Sequence, residues 1–292
     1  PIEFYAELKE LIEAQGLLFL CTPFGLKSAA LLRSLQPKIV KIASPELNFT
    51  ALLEEVSAWN LPVLLSSGVS TLGDIEAAVN ILGIRGCGSD NSPHSPICLL
   101  HCVTAYPAPE TDYNLRVLRS LQAVFGVTVG VSDHSLDPEL VPVLALTQGA
   151  LAIEKHFCLS RDDPGLDDPI ALPPPEFTRM VKAVHKAAEM GPQETLPALI
   201  QDRGSAVIES VLGSGVKELA PSERENYRRT NRSIHALRDI QQGEAIGPDD
   251  FSILRTEKIL RPGLEPVWAK HIRGRTARQF IPAGEGIRFE DI

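Results

Sequence analysis

A chain of 292 residues with 44% hydrophobic and 22% charged side chains has the make-up of a soluble globular protein, with room for one large domain or a large plus a small one. Its net charge of −9 excludes nucleic-acid binding across a broad basic face, and no apolar stretch approaches the ~18 residues needed to span a bilayer. The five cysteines (Cys21, Cys87, Cys98, Cys102, Cys158) show no Cys-x-x-Cys spacing and no visible secretory leader precedes them, so they read as reduced thiols of a cytoplasmic protein.

Residues 1–16 predict a helix with Phe4, Leu8, Leu11 and Ile12 on one face. Six strand–helix units follow. Leu17–Cys21 is a strand before helix Lys27–Leu35, Ile39–Ile42 before Phe49–Trp59, and Pro62–Leu65 before Leu72–Leu82. A Gly/Ser/Pro-rich loop spans Gly83–Pro96. Ile97–Leu100 then precedes Asn114–Val124, Val127–Val131 precedes Pro138–Thr147, and Leu151–Ile153 leads towards helix Pro175–Met190. The strands are unbroken apolar runs, the mark of a parallel sheet buried on both faces. The chain opens on Pro1 and a lone helix. The pattern is therefore expected to be an α/β fold, a (β/α)8 TIM barrel lacking its first strands, occupying residues 1–190. An open doubly wound sheet is the alternative; no GxGxxG after a strand supports it.

Residues 191–225 are polar, with Gly, Pro and Ser and a weak apolar patch at 206–211, and read as a linker. From 226 to 292 the character changes to a small β-rich domain. Ile240, Gly243, Glu244, Ile246 and Asp250 recur as Ile281, Gly284, Glu285, Ile287 and Asp291, at a constant offset of 41. The Gly-Glu of each copy reads as a tight turn between short strands.

Polar residues gather where the strands end, the face on which α/β barrels carry their chemistry. His134 and His156 lie 22 residues apart, about the length of one strand–helix–strand crossover. Neighbouring parallel strands would bring both imidazoles to one rim, an N/O environment suited to a divalent metal. Lys41, at the end of an apolar strand, must find an anion or face solvent. With the hydroxyls of Thr22, Ser44, Ser66, Thr104 and Ser132 it forms a candidate phosphate site. Glu46 lies just beyond, and Glu154 stands at the strand end beside His156. His101 reads as a satisfied core group. A local cluster, Arg224, Arg228, Arg229 and Arg232, runs against the overall charge and reads as a solvated face or a patch for an anionic ligand.

The motifs CTPFG, KIASPE, LLSSGVSTLGDIEAAV, LLHCVTAYPAP, VGVSDHS and AIEKHFCL, in this order, resemble the sialic acid synthase family, and NRSIHALRDIQQGEAI is similar to its antifreeze-like (SAF) domain. The resemblance covers essentially the whole chain. It implies condensation of phosphoenolpyruvate with an N-acyl amino sugar such as N-acetylmannosamine, giving a nine-carbon 2-keto acid. Another phosphoenolpyruvate-dependent keto-acid synthase, or a non-catalytic sugar- or phosphate-binding protein, stands as the alternative. The resemblance makes His134 and His156 ligands of a divalent metal, typically manganese, with magnesium or cobalt as substitutes. It gives Lys41, Thr22, Ser44, Ser66 and Ser132 to phosphoenolpyruvate, and Glu46 to the cationic centre formed at its C2. It turns Tyr106 and Asp167 towards the sugar. It implies a domain-swapped homodimer in which Arg232 reaches the partner's site. Gly25 stands where the family has Asp, Thr104 where it has Ser or Asn, and Gly165–Asp168 where it has GPDH.

Overall fold

The structure is a computed structural model that describes residues 2–83, 97–256 and 259–292. The loop expected at Gly83–Pro96, apart from Gly83, and Cys87 within it lie outside the described residues.

Five strands form one parallel sheet in sequential order: β1 (Val40–Ile42), β2 (Val63–Ser66), β3 (Ile97–Cys102), β4 (Thr128–Asp133) and β5 (Ile153–Lys155). The sheet is curled into a half-barrel. Helices α1 (Ile2–Ala14), α2 (Leu26–Ser34), α3 (Thr50–Ser57), α4 (Leu72–Gly83), α5 (Val117–Phe125), α6 (Leu140–Thr147) and α7 (Pro174–Met190) alternate with the strands or flank them. All three β1 residues are buried, as is nearly all of β3 and β4, which is why these strands read as continuous apolar runs. The α5 helix shows the matching helical logic: Val117, Leu118 and Leu121 are buried, and the helix stops at Gly126 with φ +64, a left-handed cap that glycine adopts without strain.

The expected strand at Leu17–Cys21 is not one. A single backbone bond, Lys41 N to Cys21 O at 3.5 Å, ties this segment to β1. No strand among the described residues pairs its other flank, and Leu17 and Leu18 remain about 63% and 62% exposed. One long bond to β1 is too little pairing to make a ladder.

The expected linker at 191–225 also differs. It carries α8 (Pro192–Arg203) and α9 (Ser205–Leu212), and Ile208, Val211 and Leu212 enter the main hydrophobic core. The weak apolar patch is thus one face of a short helix. The chain beyond it is stitched to the half-barrel, since Leu115 and Arg116 donate their amides to the carbonyls of Val211 and Leu212, and Gly215 donates to Asn114.

The C-terminal domain has its own core of Ile234, Ile240, Ile246, Ile281 and Ile287 around the antiparallel pair β6 (Ser233–Ala236) and β7 (Phe251–Leu254). Its repeat is physical. Ile240 and Ile281 exchange backbone hydrogen bonds at 2.9 and 3.0 Å, so equivalent positions of the two copies pair with each other. Gly243 and Gly284 both adopt left-handed φ, +84 and +86, in turns closed by Glu244 N to Gln241 O and Glu285 N to Pro282 O. Asp250 and Asp291 each accept the amide three residues earlier at 2.7 Å.

Candidate functional site

The β4–β5 register fixes the centre of the site. Ser132 sits opposite Glu154 and Asp133 opposite Lys155, so the next residues, His134 and His156, leave adjacent strands side by side. Lys155 Nζ meets Asp133 Oδ2 at 2.6 Å and the Ser135 carbonyl at 2.6 Å, and Asp133 Oδ1 accepts the Ser135 amide. The two histidine rings lie 5.3 Å apart, centroid to centroid, tilted by 53°. His134 is held by its own backbone as well: its amide donates to the Tyr113 hydroxyl at 2.7 Å, and its Nδ1 lies 2.8 Å from the Val103 carbonyl. His156 Nδ1 lies 3.6 Å from Asp167 Oδ2. With Nδ1 of His134 bonded and Nδ1 of His156 facing Asp167, Nε2 of each ring is the nitrogen that a metal would take.

Two neighbouring imidazoles are a donor set of the kind a divalent ion would take. Among the described residues no group of three or more His, Cys, Asp or Glu side chains is placed to hold a metal ion. An ion held here would have these two imidazoles as its protein ligands. Burial works against a charged His134 ring, but the Cys102 sulfur at 4.0 Å, the Val103 carbonyl and Asp133 push its pKa up to about 9. Burial and the neighbouring His134 hold His156 down. A metal would have to displace the His134 proton, which makes its binding pH-dependent.

A cavity of about 720 Å³ opens over these rings at the C-terminal ends of the strands. Thr22, Lys41, Ser44, Ser66 and Ser132 line one part of it, and Thr104, Tyr106, His134, Glu154, His156 and Asp167 the rest. The side chain of Lys41 is almost fully buried; its Nζ donates to the Ile42 carbonyl at 3.0 Å and lies 3.5 Å from Glu154 Oε1. Ser66 Oγ lies 3.5 Å from Glu154 Oε2. Tyr106 stacks on His134 at 4.3 Å and meets His156 edge-on at 5.9 Å. Gly68 stands behind this wall, with its amide donating to Ser44 Oγ at 2.9 Å. A Cβ there would run into Thr104 Oγ1 and lie 3.0 Å from Ser44 Oγ and 3.1 Å from Cys102 Sγ.

Two expected residues are not in the cavity wall. Glu46 has no exposure at all, and its Oε1 accepts from Arg232 Nε at 3.1 Å and from Arg232 Nη2 at 2.8 Å. Arg232, which the resemblance gives to a partner's site, meets Glu46 of the same chain. The remaining arginines of the cluster stay at the surface, Arg228 pairing with Glu265 at 3.4 Å. His101 is a core group but only half satisfied: its Nε2 lies 2.6 Å from the Tyr113 carbonyl, its Nδ1 is buried without a partner, and burial pushes its pKa down to about 3.

The cavity also takes Arg255 and Thr230 from the C-terminal part of the chain, with Cys102, Lys155 and Leu166. Arg255 and Thr230 carry no local sequence signal, because the docking of one domain on the other brings them there. Lys155 could have been found from strand alternation, since it projects opposite Asp133. A second cavity, of about 310 Å³, lies between the half-barrel and the C-terminal domain, bordered by Asp74, Tyr227, Arg228, Glu265 and Trp268. Tyr227 Oη lies 3.1 Å from Asp74, Arg228 pairs with Glu265, and Arg232, also in its wall, pairs with Glu46. No helix among the described residues is long and apolar enough to cross a membrane.

Residues 1–194 match the family model described as the NeuB family, and residues 231–292 match the SAF domain. The spore coat polysaccharide biosynthesis protein SpsE of Bacillus subtilis is 34% identical over 295 residues, covering 100% of this chain and 74% of that protein. Pseudaminic acid synthase of Helicobacter pylori is 33% identical over 296 residues, covering 100% of this chain and 76% of its own. The crystal structure of B. subtilis SpsE superposes with a TM-score of 0.85 at 34% identity, over 100% of this chain and 78% of that one.

Proposed function

The chain belongs to the NeuB family, and from that membership we propose that it condenses phosphoenolpyruvate with an N-acyl amino sugar to give a nine-carbon 2-keto acid and phosphate. The observation that carries the reading is that Lys41 and a set of hydroxyls line the same cavity as His134, His156, Tyr106 and Asp167. Such a lining suits an anion held together with a polar acceptor. The pseudaminic acid synthase relative supports the same class of chemistry.

In this reading Lys41, Thr22, Ser44, Ser66 and Ser132 hold the phosphate and carboxylate of phosphoenolpyruvate through charge-assisted and neutral hydrogen bonds. Tyr106 and Asp167 orient the open-chain sugar. His134 and His156 would hold a divalent ion, manganese by family resemblance, which supplies Lewis-acid polarisation of the sugar aldehyde when bound. A carbon–carbon bond forms between C3 of phosphoenolpyruvate and the aldehyde carbon, and positive charge develops at C2. Water adds at C2, the bond from C2 to the phosphate oxygen breaks, and the keto acid and inorganic phosphate leave. Glu154, 3.5 Å from both Lys41 Nζ and Ser66 Oγ, is a carboxylate in the cavity wall that would take one proton from that water and return it to the alkoxide left at the former aldehyde carbon, the water's second proton leaving with the phosphate. Preorganised charge of this kind supplies most of the rate in such sites.

Isothermal calorimetry with phosphoenolpyruvate, followed by a phosphate-release assay with N-acetylmannosamine and manganese, tests the reading. The expected result is binding, and release that requires both substrates. Binding without acceptor-dependent release overturns it.

A further inference from the structure

Glu223 is 1% exposed and stands on the short 3-10 turn Pro221–Asn226, in the segment whose sequence reads as a linker. Its Oε2 accepts two main-chain amides, Thr104 N at 2.8 Å and Val69 N at 3.2 Å, and its Oε1 accepts Ala220 N at 3.3 Å. The first two amides belong to different turns. Val69 is on the turn that leaves β2 after Ser66, and Thr104 on the turn that leaves β3. One buried carboxylate oxygen therefore ties together the ends of two neighbouring strands at the rim where the cavity opens.

Each turn is held from its other side as well. The Val69 carbonyl accepts Asn231 Nδ2 at 3.3 Å, and the Thr104 carbonyl accepts Asn226 Nδ2 at 3.1 Å. Val69 needs the support. Its φ of +45 is left-handed, a conformation that costs a β-branched residue free energy and persists only where the surroundings impose it. The same turn aims the Gly68 amide at Ser44 Oγ, 2.9 Å away in the cavity wall. Without Glu223 the Val69 and Thr104 amides would be buried with no acceptor, and the strain at Val69 would be released.

The charge of Glu223 has a separate task. Among the described residues nothing hydrogen-bonds the buried Lys217 Nζ. Burial pushes the Lys217 ammonium down, and Glu223 is the first of the groups that hold it up, ahead of Cys102 and Asp74.

We propose that Glu223 is a positioning residue for phosphoenolpyruvate binding: its acceptor oxygen staples the turns after β2 and β3 and so fixes the Gly68 amide and the Ser44 hydroxyl, while its charge serves to balance Lys217. The ligand in this statement rests on the condensation reading above.

Grip and charge are separable. Glu223→Gln keeps a carbonyl oxygen for the Val69 and Thr104 amides, gives up the Ala220 bond and removes the charge. It should leave phosphoenolpyruvate affinity within about threefold of the parent. It should nevertheless lower the melting temperature, because Lys217 becomes an uncompensated buried cation, and adding Lys217→Met should recover that loss. Glu223→Ala removes the acceptor as well, so affinity should fall by about 10-fold or more. Val69→Gly in the Glu223→Ala background should restore part of it, since glycine takes left-handed φ without strain.

Calorimetry with phosphoenolpyruvate and thermal melts on each variant, with hydrogen–deuterium exchange of peptides covering residues 66–71 and 102–106, make the test. Exchange should quicken in both peptides in Glu223→Ala and stay near the parent's rate in Glu223→Gln. Parent-like exchange of either peptide in Glu223→Ala overturns the proposal, as does an affinity lost as far in Glu223→Gln as in Glu223→Ala. Should Glu223→Ala not fold, Glu223→Asp, one methylene short of the two amides, takes its place and is read the same way. If the parent binds no phosphoenolpyruvate, the condensation reading fails and exchange alone decides the staple. If the parent binds it and the exchange or the Gln–Ala split fails, this inference fails alone.

Discussion

Lys155 Nζ lies 2.6 Å from Asp133 Oδ2, and solvent reaches neither side chain. The pair bridges β4 to β5 at the last register position before the two histidines. It therefore sets which way His134 and His156 leave the sheet.

Breaking that pair strands a buried charge. Lys155→Met or Asp133→Asn alone should destabilise the fold by about 3–5 kcal/mol. The double variant should recover part of the loss, because neither charge is then left alone. Urea titrations of the four proteins give the coupling. Additive losses would mean that the ion pair does not join the strands.

Gly68→Ala should damage the site more than the fold. The added methyl must displace Thr104 Oγ1, which is hemmed in by Ser44 and Cys102. Overpacking of this kind costs about 1–3 kcal/mol. The Ser44 hydroxyl that accepts the Gly68 amide would shift too, so phosphoenolpyruvate binding should weaken at least as sharply as stability. Calorimetry and thermal melts on the same samples separate the two effects.

The parts of this site that were legible in the sequence are those that strand geometry dictates. Unbroken apolar runs gave the parallel sheet, and the change to polar residues at their ends placed Lys41, Ser66, Ser132, His134 and His156 on one rim. The 41-residue offset located two halves that pair at Ile240 and Ile281. The misreadings share one cause: the sequence pattern is local and the deciding contacts are not. Leu17–Cys21 has strand composition but too few backbone partners. The segment 191–225 looks too polar to fold until α9 meets Leu115. Glu46, given to the reacting centre by resemblance, is buried against a side chain 186 positions later. Arg255 enters the cavity for the same long-range reason.

Asp137 should confer acid sensitivity. Its Oδ1 accepts the Glu139 and Leu140 amides at 2.8 and 3.0 Å at the entry to α6, and its Oδ2 pairs with Arg203 at 2.9 Å. Burial alone would raise its carboxyl, but the two amides and Arg203 outweigh it and hold it below the usual carboxylate range. A depressed folded-state value adds stability above the unfolded value near 3.9, and that stability is lost as pH falls through the folded value. Asp137→Ala should cost about 1 kcal/mol at neutral pH and flatten the stability profile at the acid end. Melting curves between pH 7 and the acid range would show an unflattened profile if Asp137 is not the group responsible.

The metal assignment can be tested without turnover. Manganese binding, followed by the loss of the free-ion electron paramagnetic resonance signal, should require both His134 and His156, since the described residues offer no third side chain to compensate. His134→Ala and His156→Ala should each abolish it. Asp167→Asn should weaken it by roughly 10-fold, because Asp167 touches His156 Nδ1 and orients the ring without coordinating. Binding should fade as pH falls through the His134 value near 9, since the ion and the proton compete for that ring. Manganese bound equally well by His134→Ala would separate the two rings from any shared ion and leave them as packing partners of Tyr106.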